Sequence, residues 1–365
     1  MPVPGFRQRP SSFSPVTPAQ QEREAREQKP APPGLRSRWP WSLLAGLIIL
    51  ALAALIPLSG DAATLHTWTL ILMFAILAQS WNFLGGFTGY ASFGNVFFFG
   101  IGAYSTGLLL LAGLSFWLGL LIGAAVAGLL AFLLGLPVLR LRGHYFAIAT
   151  LGIAEATREL AAIRNIGGSG GEVELPLPQL SDTAFYFLFW LLALACFLIT
   201  AYLLRSKPGY ALIAIRESEE TAEAMGIPTY WYKIGAFVLS AVPTALAGGL
   251  YAYWSTGFDP PTVFDVGISV EMVLLTVLGG AGTLLGPLIS AILFELLSFQ
   301  FQISGSAFHN SLLGLTIAIV TIFIPKGLVG LGQEFFRPLA PGMSRRQLLA
   351  EGVRRVRRVI AANGV

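Results

Sequence analysis

Runs of apolar residues, each roughly 20 long, recur between residues 41 and 324 and limit what this chain can fold into. As a helix, a run of that length crosses ~30 Å of hydrocarbon. The chain therefore reads as an all-α, polytopic membrane protein. One stretch after residue 39 interrupts the pattern at length: residues 205–233, RSKPGYALIAIRESEETAEAMGIPTYWYK. Within it Arg216, Glu217, Glu219, Glu220 and Glu223 make a dense charged cluster, set off by Pro208–Gly209 before it and Gly226–Ile227–Pro228 after it. A segment this polar between two membrane spans must sit in water, and its use is to touch something.

Composition agrees. Hydrophobic residues make up 55% of the 365 and charged residues only 12%, well away from a soluble balance. The net charge of +4 does not point to nucleic acid, because the basic residues flank apolar spans instead of forming a stripe on a soluble domain. Cys196, the single cysteine, lies inside an apolar run, which excludes disulfides within the chain and cysteine metal clusters. Residues 1–40 are rich in Pro, Gln, Glu and Arg, cannot bury a core and show no small-residue cleavage pattern. They are expected to be a disordered cytoplasmic tail without a cleavable signal. Residues 327–365 are expected to be a basic cytoplasmic tail.

Between the tails, residues 41–326 divide into ten candidate spans: 41–58, 66–84, 91–111, 115–138, 145–163, 185–204, 234–254, 268–278, 284–301 and 308–324. Charge tests the division, since cytoplasmic loops of membrane proteins carry an excess of Lys and Arg. With both termini cytoplasmic, Arg140 and Arg142, then Arg205, Lys207, Arg216 and Lys233, fall inside, together with both basic tails. The external segments hold Asp61, Glu172, Glu174, Asp182, Asp259 and Asp265. The loop 205–233 is therefore expected on the cytoplasmic side. The fifth and eighth spans fit least well and are open to being full, broken or re-entrant. Tryptophans including Trp117, Trp190, Trp231 and Trp254 fall near expected span ends, where interfacial anchoring places them.

No catalytic constellation is present. None of the four lysines follows a glycine, as a phosphate-cradling Walker loop requires, so this chain has no such loop with which to power transport. His66, His144 and His309 lie at separate span ends without partners at metal-ligand spacing. The glycines of GGFTGYASFGN, residues 85–95, suit close helix packing, with a non-helical break lining a cavity as the alternative. Asn82 and Asn95 flank that stretch and would be costly against lipid, so both are expected to point into the bundle. Glu155, Arg158 and Glu159 share one helical face at i, i+3 and i+4, either as a structural ion pair or along a substrate pathway. Asn82, Ser92, Asn95, Glu155 and Arg158 are the candidate translocation-path residues on polarity at depth. Thr276 to Pro287, TVLGGAGTLLGP, reads as a tight turn between two helices.

Several longer stretches carry a resemblance: GLPVLRLRGHYFAIATLGIAEATREL (135–160), PGYALIAIRESEETAEAMGI (208–227), KIGAFVLSAVPTALAGGLYA (233–252), GFDPPTVF (257–264), VLLTVLGGAGTLLGPLISAIL (273–293) and IPKGLVG (324–330). Together they resemble the integral membrane permeases of branched-chain amino acid ABC importers, LivM type, over residues 67–330. The resemblance implies a transport subunit and not an enzyme, in a bacterial cytoplasmic (inner) membrane. It would form half of a translocation path with a second permease subunit. Two ABC ATPase subunits would carry ATP and Mg, with no cofactor bound by this chain, and an extracytoplasmic substrate-binding protein would deliver the cargo. It further implies that residues 205–233 hold the short helix that docks on an ATPase, with Arg216, Glu217, Glu219, Glu220, Ala222 and Gly226 as its coupling-loop residues.

Two departures keep the cargo open. The external loop 165–182 is short, and Gly167–Gly168–Ser169–Gly170–Gly171 stands where the family has a Gly-Pro-Asn-Gly-like stretch. Urea or short amides are the alternative cargo on the same scaffold. A self-sufficient secondary transporter, driven by protons through Glu155, Glu159, Glu271 or Glu295, is the rival from another class.

Overall fold

The computed structural model describes residues 39–303. The two expected tails and the tenth candidate span, 308–324, lie outside the described residues. The order of elements is α1 (Trp39–Ala53), α2 (Ala62–Trp81), α3 (Asn95–Leu111), α4 (Phe116–Val138), α5 (His144–Ile163), β1 (Val173–Glu174), α6 (Asp182–Leu203), α7 (Lys207–Glu217), α8 (Glu219–Ala224), α9 (Thr229–Trp254), β2 (Gly257–Phe258), α10 (Pro260–Val263), α11 (Val266–Gly279) and α12 (Gly286–Ile303). Among the described residues five helical stretches are long and apolar enough to cross a membrane: Ala62–Gly86, Phe116–Val138, Asp182–Leu203, Thr229–Trp254 and Pro260–Gly279. Shorter apolar helices lie at Ser42–Leu58, Asn95–Leu111 and Gly286–Ser298.

Local chemistry sets the ends of these helices. Side-chain oxygens of Asp61, Ser181 and Asp265 accept backbone N–H bonds from Thr64, Ala184 and Gly267, capping α2, α6 and α11. Each cap satisfies a donor that a helix start leaves orphaned. Span five is one continuous helix, α5, with its charges in place. Span eight, as the stretch Pro260–Gly279, is interrupted: Asp265, in extended conformation, separates the short α10 from α11 and caps α11. Irregular backbone also lies at the end of span two. There α2 widens into a π-helical turn at Asn82–Gly86, and irregular backbone runs from Gly89, with φ of 77°, to Gly94 before α3 begins.

Helix α9 is the axis of the bundle. It packs along α3 and α4 and touches α2 and α6, while α2 also packs on α6 and α12. Glycines bring α3 and α9 together. A Cβ at Gly102 would lie 1.9 Å from the carbonyl oxygen of Ala245, and one at Gly248 would lie 2.0 Å from that of Phe99. No side chain fits either place, so close packing is what these glycines provide. The outward surface of the bundle is apolar: Leu52, Leu121, Leu129 and Leu191 are each more than half exposed, which suits hydrocarbon as solvent.

Two details depart from the sequence reading. Trp190 lies inside α6 and not at its end, and its indole N–H donates to the carbonyl of Leu50 at 2.7 Å, tying α6 to α1. A small antiparallel ladder, Val173 with Phe258 and Glu174 with Gly257, joins the loop after α5 to the loop after α9. Two-residue strands carry no sequence period, so nothing in the pattern marks them.

Candidate coupling face

The polar loop 205–233 folds as two short helices around one serine. Ser206 caps α7, and its hydroxyl accepts from the N–H of Gly209. The chain must be glycine there, since a Cβ would meet the carbonyl oxygen of Leu203 at 1.6 Å. The buried face of α7 is Gly209, Ala211, Leu212 and Ile215. Ser218 then ends α7 and caps α8, accepting from Thr221 N–H, and Glu219 and Glu220 stand in the first turn where a helix dipole favours acids. Gly226 closes α8 with φ of 82°, and the N–H of Ile227 returns to the carbonyl of Ala222.

Glu219 turns inward. Its carboxylate pairs with Lys233 Nζ at 2.5 Å and accepts from the Tyr90 hydroxyl at 2.6 Å. The Lys233 side chain is 4% exposed, and its ammonium also donates to Tyr90 Oη at 3.0 Å and to the Leu139 carbonyl at 3.4 Å. Burial raises the proton affinity of Glu219, but the hydrogen bonds from Lys233 and Tyr90 outweigh it and hold the carboxyl below its ordinary range. Burial, with the Glu219 charge beside it, pushes the Tyr90 phenol well above its usual value. The group is thus an ionised acid, a charged lysine and a neutral phenol, locking α8 to the start of α9, the end of α4 and the break before α3.

Arg216 reaches the other way. Its Nη1 donates to the carbonyl of Gly86 at 2.7 Å and to that of Ala281 at 3.1 Å. These two carbonyls belong to two glycine turns that meet. The turn before α3 has Gly85, Gly86, Gly89 and Gly94, and the turn before α12 has Gly279, Gly280, Gly282 and Gly286. Asn82 stitches them together: its Oδ1 accepts from Gly282 N–H at 2.7 Å and its Nδ2 donates to Thr283 O at 3.1 Å. Gly282 has φ of 75°, and a Cβ there would lie 2.6 Å from Arg216 Nη1 and 2.9 Å from Gly86 O. Conformation and space both demand glycine at that position.

A groove of about 590 Å³ opens beside this junction, lined by Tyr90, Arg142, His144, Arg216, Glu219 and Glu220 among others. The Arg142–Glu220 pair across it is 3.9 Å apart and largely exposed, so it adds little. Glu217 and Gly226 are exposed as well, whereas Ala222 is 1% exposed and packs within the chain.

The candidate path residues do not gather in one place. Asn82, Ser92 and Asn95 are all fully buried. Asn82 is spent on the turn junction. The Ser92 carbonyl accepts the Trp81 indole N–H, and Asn95 donates to Ser240 Oγ at 2.7 Å. The Asn95 Oδ1 is buried with no hydrogen-bond partner. Glu155, Arg158 and Glu159 do share a face of α5. Arg158 pairs with Glu155 and, at 3.3 Å, with Glu159, and all three side chains keep between 32% and 58% exposure. Lys233 and Tyr90 are the members of the buried charge cluster that sequence reasoning passed over. A lysine at the head of an apolar span, 14 residues beyond Glu219, was the available signal.

Residues 63–324 match the family described as branched-chain amino acid transport system, permease component. The chain belongs to this permease family. It is 31% identical over 318 residues to the high-affinity branched-chain amino acid transport system permease protein LivM of Escherichia coli, covering 78% of this chain and 74% of that protein. The LivM of Salmonella typhimurium is 30% identical over the same shares of each chain. The probable LivM of Methanocaldococcus jannaschii is 26% identical over 58% of this chain and 69% of its own. No solved structure matches the permease. These relatives are transport permeases and not enzymes, and the permease is a membrane-spanning transport protein, the component of an ABC transporter.

Proposed function

We propose that this permease forms half of the translocation path of an ABC importer for branched-chain or other hydrophobic amino acids. A second permease subunit would complete the path, two cytoplasmic ATPases would drive it and an external binding protein would feed it. The reading carries ten spans with both termini cytoplasmic, in a bacterial cytoplasmic membrane. Family membership across residues 63–324 is the observation that carries it. The α7–α8 hairpin supports the placement of the drive: two short capped helices on a polar loop, rigidly seated, with a charged outer surface. Within that hairpin Glu217, Glu220 and Gly226 offer the surface an ATPase would touch, while Arg216, Glu219 and Ala222 hold the hairpin in place. Energy arriving there as a rigid-body movement would switch the paired permeases between outward- and inward-open forms. Glu155 and Arg158 on α5 stand as path residues, because half-exposed charges at membrane depth belong against protein or water and not lipid.

Co-purification tests the proposal. With a second permease subunit and the ATPases co-expressed, the wild-type chain is expected to retain the ATPases. Deleting residues 217–226 releases them and abolishes uptake. Retained ATPases with intact uptake after the deletion overturn the coupling role. Competition among leucine, urea and acetamide for uptake then decides the cargo, with leucine expected to win.

A further inference from the structure

The bonds around Arg216 link three elements that the sequence keeps far apart. Its backbone lies in the last turn of α7, while its guanidinium holds the carbonyl ends of two other elements, Gly86 after α2 and Ala281 after α11. The Gly86 carbonyl sits at the C-terminal end of a helix, where the backbone carries partial negative charge and a cation is favoured, and the Ala281 carbonyl lies in the turn just past the end of α11. Both bonds leave one nitrogen, Nη1, whose two hydrogens serve one carbonyl each. The two turns are already fixed to one another by Asn82, so whatever displaces one displaces the other. Glycine at 282 leaves the guanidinium its place, since a Cβ there would lie 2.6 Å from Arg216 Nη1, and glycine at 86 leaves room for the Asn82 amide that joins the two turns.

We infer that Arg216 is the positioning residue that transmits movement of the α7–α8 hairpin to the inner ends of α2 and α11. It is not an ATPase contact in this account; its work is inside the chain. This rests on the reading that the hairpin receives the ATPase movement. Glu219 seats α8 against α9 through Lys233 and against Tyr90, beyond the α2 turn, whereas the bond from the hairpin to Ala281 in the α11 turn, and the bond to Gly86 that joins it to α2, are both made by Arg216. The consequence is specific: loss of Arg216 should separate ATP hydrolysis from transport without separating the subunits.

The test uses the complete transporter in proteoliposomes, with Arg216→Ala, Arg216→Gln and Arg216→Lys. ATP hydrolysis and leucine uptake are measured together, after checking that the ATPases co-purify. R216A is expected to keep hydrolysis within about twofold while uptake falls at least tenfold, raising the ATP used per leucine. R216K, which can still reach one carbonyl, is expected to lie between R216A and wild type. If R216A does not assemble, the ratio for R216Q and R216K decides. Unchanged uptake, or uptake and hydrolysis falling in proportion, overturns the inference. Failure of the wild-type chain to retain ATPases overturns the underlying reading instead, and is distinguishable because it appears before any substitution.

Discussion

Lys233 is the residue with most to lose. A buried ammonium is tolerated only with its charge answered, and here Glu219 answers it at 2.5 Å. Removing one partner strands the other, so Lys233→Met should lower stability by about 3 kcal/mol, read by thermal unfolding in detergent. The double variant Lys233→Met with Glu219→Met should recover part of that loss, because an apolar pair strands no charge. The sign of the pH effect follows from the carboxyl. Glu219 binds its proton less readily folded than unfolded, so its contribution is present above the ordinary carboxyl range and is lost as pH falls through and below that range. Unfolding of the wild type should therefore become easier in acid, and Glu219→Gln should flatten that dependence. At this scale the sequence was a partial guide. It placed Glu219 in an exposed charge cluster, but the lysine that turns it inward lies 14 residues on, across a helix end, and pairing over such a distance has no local period.

Among the elements, α3 and α9 depend on contact that only glycine allows. Gly248→Ala places a methyl about 2 Å from the Phe99 carbonyl, which forces the helices apart. It should cost at least about 2 kcal/mol, a typical overpacking penalty, again in thermal unfolding. Ala at the exposed Gly152 of α5, where a Cβ meets nothing within 4 Å, should leave stability unchanged or slightly raised. Helices were legible as elements because apolar runs of span length have few other solutions. The fifth span was ambiguous because Glu155, Arg158 and Glu159 lower its apolarity. The structure resolves it as a whole helix, since the three charges pair with one another on one face. The glycine turn between α11 and α12 was legible as a turn, whereas the glycines at 85–94 read first as close helix packing and only in the alternative as the break they form. That the two meet, stitched by Asn82 and strapped by Arg216, was not legible, because 200 residues separate Asn82 from Gly282.

At the scale of the molecule, the described helices form a bundle about α9 with an apolar exterior and a charged hairpin on one end. The family match explains why no phosphate-cradling loop is needed: the relatives are permease proteins, and hydrolysis would belong to other chains. Charge segregation in the sequence is the ground for expecting the hairpin on the cytoplasmic end. Its seating on the ends of α2, α4, α9 and α11 gives that end a physical connection to the spans. The central claim is that this permease moves its cargo only when separate ATPases act on it through residues 205–233. ATP-driven leucine uptake in proteoliposomes tests it most directly, with the permease pair and binding protein present and the ATPases either included or withheld. The account predicts uptake only with ATPases and ATP, indifferent to collapse of the proton gradient. Uptake by this chain alone that follows the proton gradient and ignores ATP would contradict it.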